Sequence, residues 1–219
     1  EHAGHLGCTF ARGDVLGLEA QGDRQIIHTT RGDYAAQAVI IASGATHRRL
    51  GCPGEDTLTG VGVSYCAVCD APFYEGEAVA VVGGGNTAVE EALYLTRFAS
   101  KVFIVHRRDA FRADSVLAGR ALANDRIIPV WNSAVASING SEMVEGMTLR
   151  NTVSGECTGL EVAGVFVCVG IEPNTAFLDE RFQRADGGWL ATDAHLRTSV
   201  PGVFAAGDVR DTPLRQIVT

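Results

Sequence analysis

Two cysteines stand at Cys66-Ala67-Val68-Cys69, with Asp70 directly after them. A Cys-x-x-Cys pair either ligates a metal or cycles between dithiol and disulfide. A structural zinc site needs two more ligands, and neither a second Cys-x-x-Cys nor a His pair close to Cys66 and Cys69 occurs in the chain. Redox chemistry is the better reading. There a thiolate is the nucleophile, and the leaving thiolate must regain a proton. Asp70 is the candidate acid/base, its alternative being a helix cap or a solvated carboxylate.

A second constellation follows. Gly83-x-Gly85-x-x-Ala88 has dinucleotide spacing, with the apolar run 78–82 before it and a helical pattern opening at Asn86 after it. The first glycine permits the tight turn, the second lets a pyrophosphate reach backbone amides, and the third position must be small for helix to pack on strand. The diphosphate sits at the helix N-terminus, where free N–H groups favour anions. Residues 101–106 read as the next strand and complete a βαβ unit with a right-handed crossover.

That strand ends in His106-Arg107-Arg108, with Arg112 a turn later. An NAD site would carry an acid near here for the ribose 2′-hydroxyl. Guanidiniums match a 2′-phosphate instead, so NADPH is expected rather than NADH. The alternative is a solvated basic patch, and Asp109 alone does not neutralise it. A nicotinamide delivers two electrons as hydride, which a disulfide accepts poorly, so a flavin is the expected intermediary.

The surrounding elements must hold these two constellations on one frame. Residues 15–18, 25–29 and 34–37 read as a small antiparallel meander, followed by Val39-Ile40-Ile41-Ala42, a run suited to a strand buried on both faces. Residues 46–62, rich in Gly, Pro and acids, read as a connection. A second helix is expected at about 115–124, then a strand at 127–131, another meander through Val135, Ile138, Met147, Leu149 and Leu160, and an apolar strand closing at Gly170. Meander plus apolar strand thus occurs twice. The tail, 188–192 and 203–208, reads as strands that must join another sheet, namely the first. The expected class is α/β, with two Rossmann-like domains of three-layer ββα form, the second inserted into the first. The boundaries fall at 1–48, 49–171 and 172–219, with linkers at about 46–62 and 171–175.

Composition narrows the class. With 46% hydrophobic and 20% charged residues, the 219-residue chain is that of a globular protein. A net charge of −8 disfavours nucleic acid or an anionic membrane as partner. No apolar run approaches the roughly 20 residues of a membrane span, and no leader opens the chain. Cys8, Cys52, Cys157 and Cys168 lack paired spacing and read as small buried hydrophobes, which suits a reducing cytoplasm.

Taken together, IIASGA, CAVCD, AVVGGGNTAVEEALYL, VHRRDAFRA and TSVPGVFAAGDV with Arg215-Gln216 resemble the low-molecular-weight, bacterial-type thioredoxin reductases over essentially the whole chain. The resemblance implies a homodimeric flavoprotein whose NADPH domain, carrying the dithiol, is inserted into an FAD domain and rotates about two linkers. It also implies that an amino-terminal FAD pyrophosphate-binding strand and turn and a carboxy-terminal helix are missing, which leaves a sheet edge open. By the same resemblance Cys66 and Cys69 are the redox pair and Asp70 the proton donor. Gly83, Gly85, Asn86 and Thr87 hold the NADPH diphosphate, and His106, Arg107, Arg108 and Arg112 surround the 2′-phosphate. Ala42, Gly44, Gly207, Asp208, Arg215 and Gln216 line FAD, with Asp208 on the ribityl chain. The implied partner is thioredoxin or a thioredoxin-like disulfide protein. Two other functions stand beside this one: the flavoprotein reductase of a peroxiredoxin, whose relatives tend to carry an acid in place of His106-Arg107-Arg108, and a non-catalytic nucleotide-binding module.

Overall fold

The structure, a computed structural model, describes residues 2–212. Arg215 and Gln216 therefore lie outside the described residues. The front segment carries α1 (His2–His5), β1 (Val15–Gln21), β2 (Arg24–Thr29), β3 (Gly32–Ala36), β4 (Val39–Ile41) and β5 (Ala45–His47). The centre carries β6 (Val63–Ser64), α2 (Ala67–Asp70), β7 (Ala78–Val82), α3 (Asn86–Leu95), β8 (Lys101–Val105), α4 (Ser115–Leu122), β9 (Ile127–Val130), β10 (Ser133–Asn139), β11 (Gly146–Asn151), β12 (Cys157–Leu160) and β13 (Gly164–Val167). The chain returns through β14 (Ile171–Pro173) and β15 (Val203–Ala205). It divides into two compact units, Glu1–Thr46 with Ile171–Thr219, and His47–Gly170.

The central unit is built on a five-stranded sheet, ordered β6-β13-β7-β8-β9 and parallel at each pairing. Its strands are short β-branched runs, AVAVV, KVFIV and GVFV, and side chains along a strand alternate between faces. Val79, Val81, Val102, Ile104 and Phe166 turn to one face and pack on Ala88, Val89, Ala92 and Leu95 of α3. Ala80, Val82, Val105, Val165 and Val167 turn to the other and meet Ile138, Met147 and Leu149 of the β10-β11-β12 meander. The result is a three-layer ββα sandwich in which each fully buried large apolar side chain contributes about 1.5–3 kcal/mol. Ala88 and Ala92 are fully buried, and their small side chains let α3 lie close on β7 and β8. That proximity fixes where the α3 N-terminus opens.

In the outer unit β1, β2 and β3 form an antiparallel meander, and β15 pairs in parallel with β4, as the tail reading requires. Leu18, Ile41, Leu178, Phe182, Leu190 and Val203 make its core. Asn174 joins two distant stretches of this unit. Its N–H donates to Gly44 O at 3.0 Å, its Nδ2 to Ser43 O at 2.9 Å, and its Oδ1 accepts from Thr46 Oγ1 at 2.8 Å.

Four expectations are corrected. The linker expected at about 46–62 is not free: Leu58 is buried, and Glu55, 2% exposed, accepts the N–H groups of Leu50 and Gly51 at 2.9 and 2.8 Å. Gly188–Thr192 is not a strand, because Gly187 and Gly188 have φ of 82° and 89°, and Leu190 makes only isolated bridges. Ile40 is 69% exposed rather than buried on both faces; β15 is the one strand β4 pairs with among the described residues. Cys8 and Cys157 are exposed, and Cys52 and Cys168 half-buried.

Candidate functional site

Cys66 and Cys69 are joined as a disulfide with Cα atoms 5.3 Å apart. The fold puts Cys66 just after β6 as the N-cap of α2, and one helical turn returns Cys69 to it. Ser64 Oγ accepts the Cys66 N–H at 3.1 Å, and the Cys66 sulfur accepts the Cys69 N–H at 3.2 Å. Ala67, between the two cysteines, is fully buried, while Cys69 is an exposed residue. Asp70 precedes a 3₁₀ turn but makes no capping hydrogen bond through its side chain, leaving the carboxylate beside the pair uncommitted.

Tyr65 anchors the approach to this turn. Its hydroxyl donates to Glu55 Oε1 at 2.9 Å, the third donor on that buried carboxylate, and burial followed by Glu55 pushes the phenol pKa up. His47 lies against the ring, centroids 5.4 Å apart, and Arg49 stands over it at 5.9 Å. A lone acid in a turn-rich stretch has no periodicity, so Glu55 gave no sequence signal.

The dinucleotide turn follows β7. Gly83 has φ 153°, and a Cβ there would come within 2.8 Å of Ala88 Cβ, which is why both positions are small. Gly85 is the N-cap of α3 in extended conformation and supplies no side-chain cap, so the first-turn amides, those of Asn86 and Thr87 included, keep open N–H groups. A Cβ at Gly85 would meet only Arg112 Nη2, at 4.0 Å. An anion can approach the amides from this side with a guanidinium opposite. The Asn86 side chain is engaged elsewhere: it donates to Asp114 Oδ2 at 2.7 Å and accepts the Asp114 N–H at 2.9 Å.

Arg107, Arg108 and Arg112 are exposed at the end of β8 and just beyond, and among the described residues none forms an ion pair, with Asp109 or any other acid. His106 is different. It is 5% exposed, packed between Phe111 and Trp131, and its Nε2 has no partner. Burial and then the positive charges of Arg112, Arg108 and Arg107 lower its pKa. It supports the turn from beneath instead of presenting a cation to a phosphate. Gly84, the unspecified position of the dinucleotide spacing, is constrained by this ring: a Cβ would lie 2.7 Å from His106 Cγ.

In the outer unit the carboxyl ends of β4 and β15 lead to Gly44 and Gly207, with φ of 68° and 73° and open space where a Cβ would stand. Ala206 N–H donates to Ile41 O at 2.9 Å, holding the two strand ends together beside Ala42. Asp208 follows in a 3₁₀ turn over Gly207–Val209. Ligands of open α/β sheets bind outside such strand ends. Ala42, Gly44, Gly207 and Asp208 fit a flavin nucleotide approaching backbone there, and the Gly83–Gly85 turn with its arginines fits a phosphorylated dinucleotide.

A dinucleotide turn and an accessible Cys-x-x-Cys disulfide on one α/β unit define a nicotinamide-linked disulfide oxidoreductase. The chain matches the pyridine nucleotide-disulphide oxidoreductase family over residues 8–219. It is 44% identical over 220 residues to a thioredoxin reductase of Bacillus subtilis, covering all of this chain and 70% of that one. A solved thioredoxin reductase of Streptococcus pyogenes is 47% identical with a TM-score of 0.87, over 94% of this chain and 68% of that one. One from Giardia duodenalis is 38% identical with a TM-score of 0.88, over 98% of this chain and 71% of that one. The chain belongs to the thioredoxin reductases within the pyridine nucleotide-disulphide oxidoreductase family.

Proposed function

We propose that the chain works as an NADPH-dependent thioredoxin-disulfide reductase in which Cys66–Cys69 is the exchanging pair. The observation that carries this is the exposed residue Cys69, disulfide-bonded to Cys66 one strand and one turn before the Gly83–Gly85 site. Bound FAD supplies the two-electron relay between nicotinamide and disulfide, so NADPH, a proton and the disulfide become NADP⁺ and two thiols. The reduced pair then attacks the disulfide of a thioredoxin-like protein. Cys69, being exposed, makes the mixed disulfide, and Cys66 resolves it as the second sulfur of the pair. Asp70, its carboxylate uncommitted, takes the proton of the attacking thiol and returns it to the leaving thiolate.

Gly83, Gly85 and the amides of Asn86 and Thr87 receive the diphosphate. Arg107, Arg108 and Arg112 receive the 2′-phosphate, and His106 holds the turn in shape. Ala42, Gly44, Gly207 and Asp208 line the flavin nucleotide, with Asp208 on its ribityl hydroxyls; Arg215 and Gln216 belong to the same site by resemblance. In this reading 1–48 and 172–219 form the FAD domain and 49–171 the NADPH domain. A homodimer and a cytoplasmic location go with it, supported by the family resemblance; no helix among the described residues is long and apolar enough to cross a membrane.

Steady-state reduction of thioredoxin with NADPH and NADH compared is the test. A preference for NADPH and turnover of thioredoxin support the proposal. A preference for NADH with turnover of a peroxiredoxin would favour the peroxiredoxin-linked alternative, which the three unpaired arginines disfavour.

A further inference from the structure

Cys66 is held by a side chain that the mechanism leaves unused. Ser64, on β6, is buried, 5% exposed, and its hydroxyl closes on the backbone of a single residue. Ser64 Oγ accepts the Cys66 N–H at 3.1 Å and donates to Cys66 O at 3.3 Å. A serine hydroxyl has one proton and two lone pairs, and both bonds it makes among the described residues go to Cys66. The same Cys66 carbonyl accepts the Asp70 N–H at 3.2 Å, which closes the first turn of α2. Both polar groups of the Cys66 backbone are thus fixed.

The base that carries Ser64 is anchored on both sides. β6 pairs in parallel with β13, with Ser64 opposite the fully buried Phe166. Tyr65, between Ser64 and Cys66, is fastened through its hydroxyl to Glu55 at 2.9 Å. Cys66 leaves this base with φ −147° and ψ 100°, the extended backbone of an N-cap. From there its sulfur accepts the Cys69 N–H at 3.2 Å and bonds the Cys69 sulfur. Cys69 is differently placed, since it and Val68 before it are exposed. One cysteine of the pair therefore has a fixed backbone, and the other sits in an exposed turn.

We propose that Ser64 is a positioning residue of the redox pair: its hydroxyl keeps the Cys66 backbone extended when the disulfide is open, so the two sulfurs stay within reach and the bond re-forms at a small entropic cost. In the disulfide the S–S bond itself restrains Cys66, and the hydroxyl adds little. In the dithiol that covalent restraint is gone, and the hydroxyl holds both ends of the residue. Freedom withheld from the open form is not lost on closing, so a restraint on the looser state favours the tighter one. Removing the hydroxyl therefore favours the dithiol. The exchange it biases is balanced: two glutathione thiols reduce the disulfide, giving two cysteine thiols and one glutathione disulfide. This inference rests on the redox reading of Cys66–Cys69.

The test equilibrates the chain with glutathione couples of defined ratio at about pH 6, below the usual thiol pKa, and reads the Cys66–Cys69 state by peptide-resolved alkylation. It needs neither flavin nor turnover. Ser64→Ala is expected to shift the equilibrium about fivefold toward the dithiol, or ~20 mV. Ser64→Thr, which keeps the hydroxyl, is expected to restore the wild-type equilibrium. An unchanged equilibrium in Ser64→Ala, with only a lower Tm, would overturn the proposal, and so would an equal shift in Ser64→Thr. Residue-resolved amide exchange of the reduced wild type covers the case in which Ser64→Ala does not fold. There the Cys66 amide is expected to stay protected, and exchange at the rate of an open amide overturns the proposal equally. A wild-type pair that no glutathione ratio reduces would instead sink the redox reading itself.

Discussion

Asn86 and Asp114 clasp one another at the mouth of the dinucleotide turn, through an Nδ2–Oδ2 bond of 2.7 Å and an N–Oδ1 bond of 2.9 Å. Asn86 opens α3 and Asp114 is the N-cap of α4, so the clasp sets two helix starts in register. Replacing Asn86 by Ala removes both bonds at an exposed site, which costs about 1–2 kcal/mol. Urea unfolding should show that loss, and the KM for NADPH should rise because the open amides of the first turn lose their alignment. An unchanged KM would mean the clasp serves stability alone.

On the proposed mechanism both sulfurs take part in exchange and neither takes part upstream of it. Cys66→Ser and Cys69→Ser should each abolish thioredoxin reduction in the FAD-loaded protein and leave NADPH-driven flavin reduction intact. Stopped-flow absorbance measures the second and thioredoxin-coupled turnover the first. Surviving thioredoxin reduction in either variant would refute the assignment.

The three free arginines should carry the choice of nucleotide. Arg107→Ala, Arg108→Ala and Arg112→Ala each remove a charged donor, worth about 1.5–3 kcal/mol when it bonds a phosphate. The expected result is at least a tenfold fall in kcat/KM for NADPH at the dominant arginine, with NADH kinetics nearly unchanged. An equal loss for both nucleotides would place the arginine on the diphosphate instead.

Glu55 is the buried carboxylate on which Leu50, Gly51 and Tyr65 converge. Glu55→Ala leaves three donors without a partner and should cost about 3 kcal/mol or more of unfolding free energy. Tyr65→Phe removes one donor and should cost about 1 kcal/mol. If the two variants proved equally stable, the convergence would be incidental.

Two groups, buried His106 and half-buried Glu91, give the stability of the central unit opposite slopes with pH. His106 has a pKa lowered below the usual 6.5, so the unfolded chain binds its proton first and stability falls as pH drops from about 6.5 through the lowered value. Glu91 has a pKa raised above the usual 4.5, so its contribution is present at low pH and is lost as pH rises through the raised value. Urea midpoints across pH 4 to 8 should lose the first slope in His106→Gln and the second in Glu91→Gln. Slopes that persist in both variants would assign the dependence to other groups.

Much of the architecture was legible because it is local. Five consecutive β-branched or small apolar residues, a glycine turn and a helical period specify β7, the turn and α3 within a few residues of each other; 78–82 emerges as read, and the helix opens at Asn86 as read but ends at Leu95, short of the expected end at about 98. The spacing of Cys66 and Cys69 was enough for their disulfide, since one helical turn brings the ends of Cys-x-x-Cys together. Misreadings fell where composition stood in for packing. Glycine- and proline-rich 50–62 looked like a connection, yet buried Glu55 and Leu58 tie it into the central unit.

By itself, then, the sequence determined the chemistry available: a redox pair, a dinucleotide turn and a cluster of guanidiniums, each encoded by neighbours in the chain. Tertiary structure alone decided which distant groups come together. Cys168 meets Glu91 across 77 positions because β13 inserts beside β7, a sheet order that no local period encodes. His106 fills the space over Gly84 because β8 lies next to β7, which also buries the ring that the sequence offered as a phosphate ligand. Hydrophobic periodicity says which face of an element is buried. Which side chain waits on the other side is settled only when the layers close.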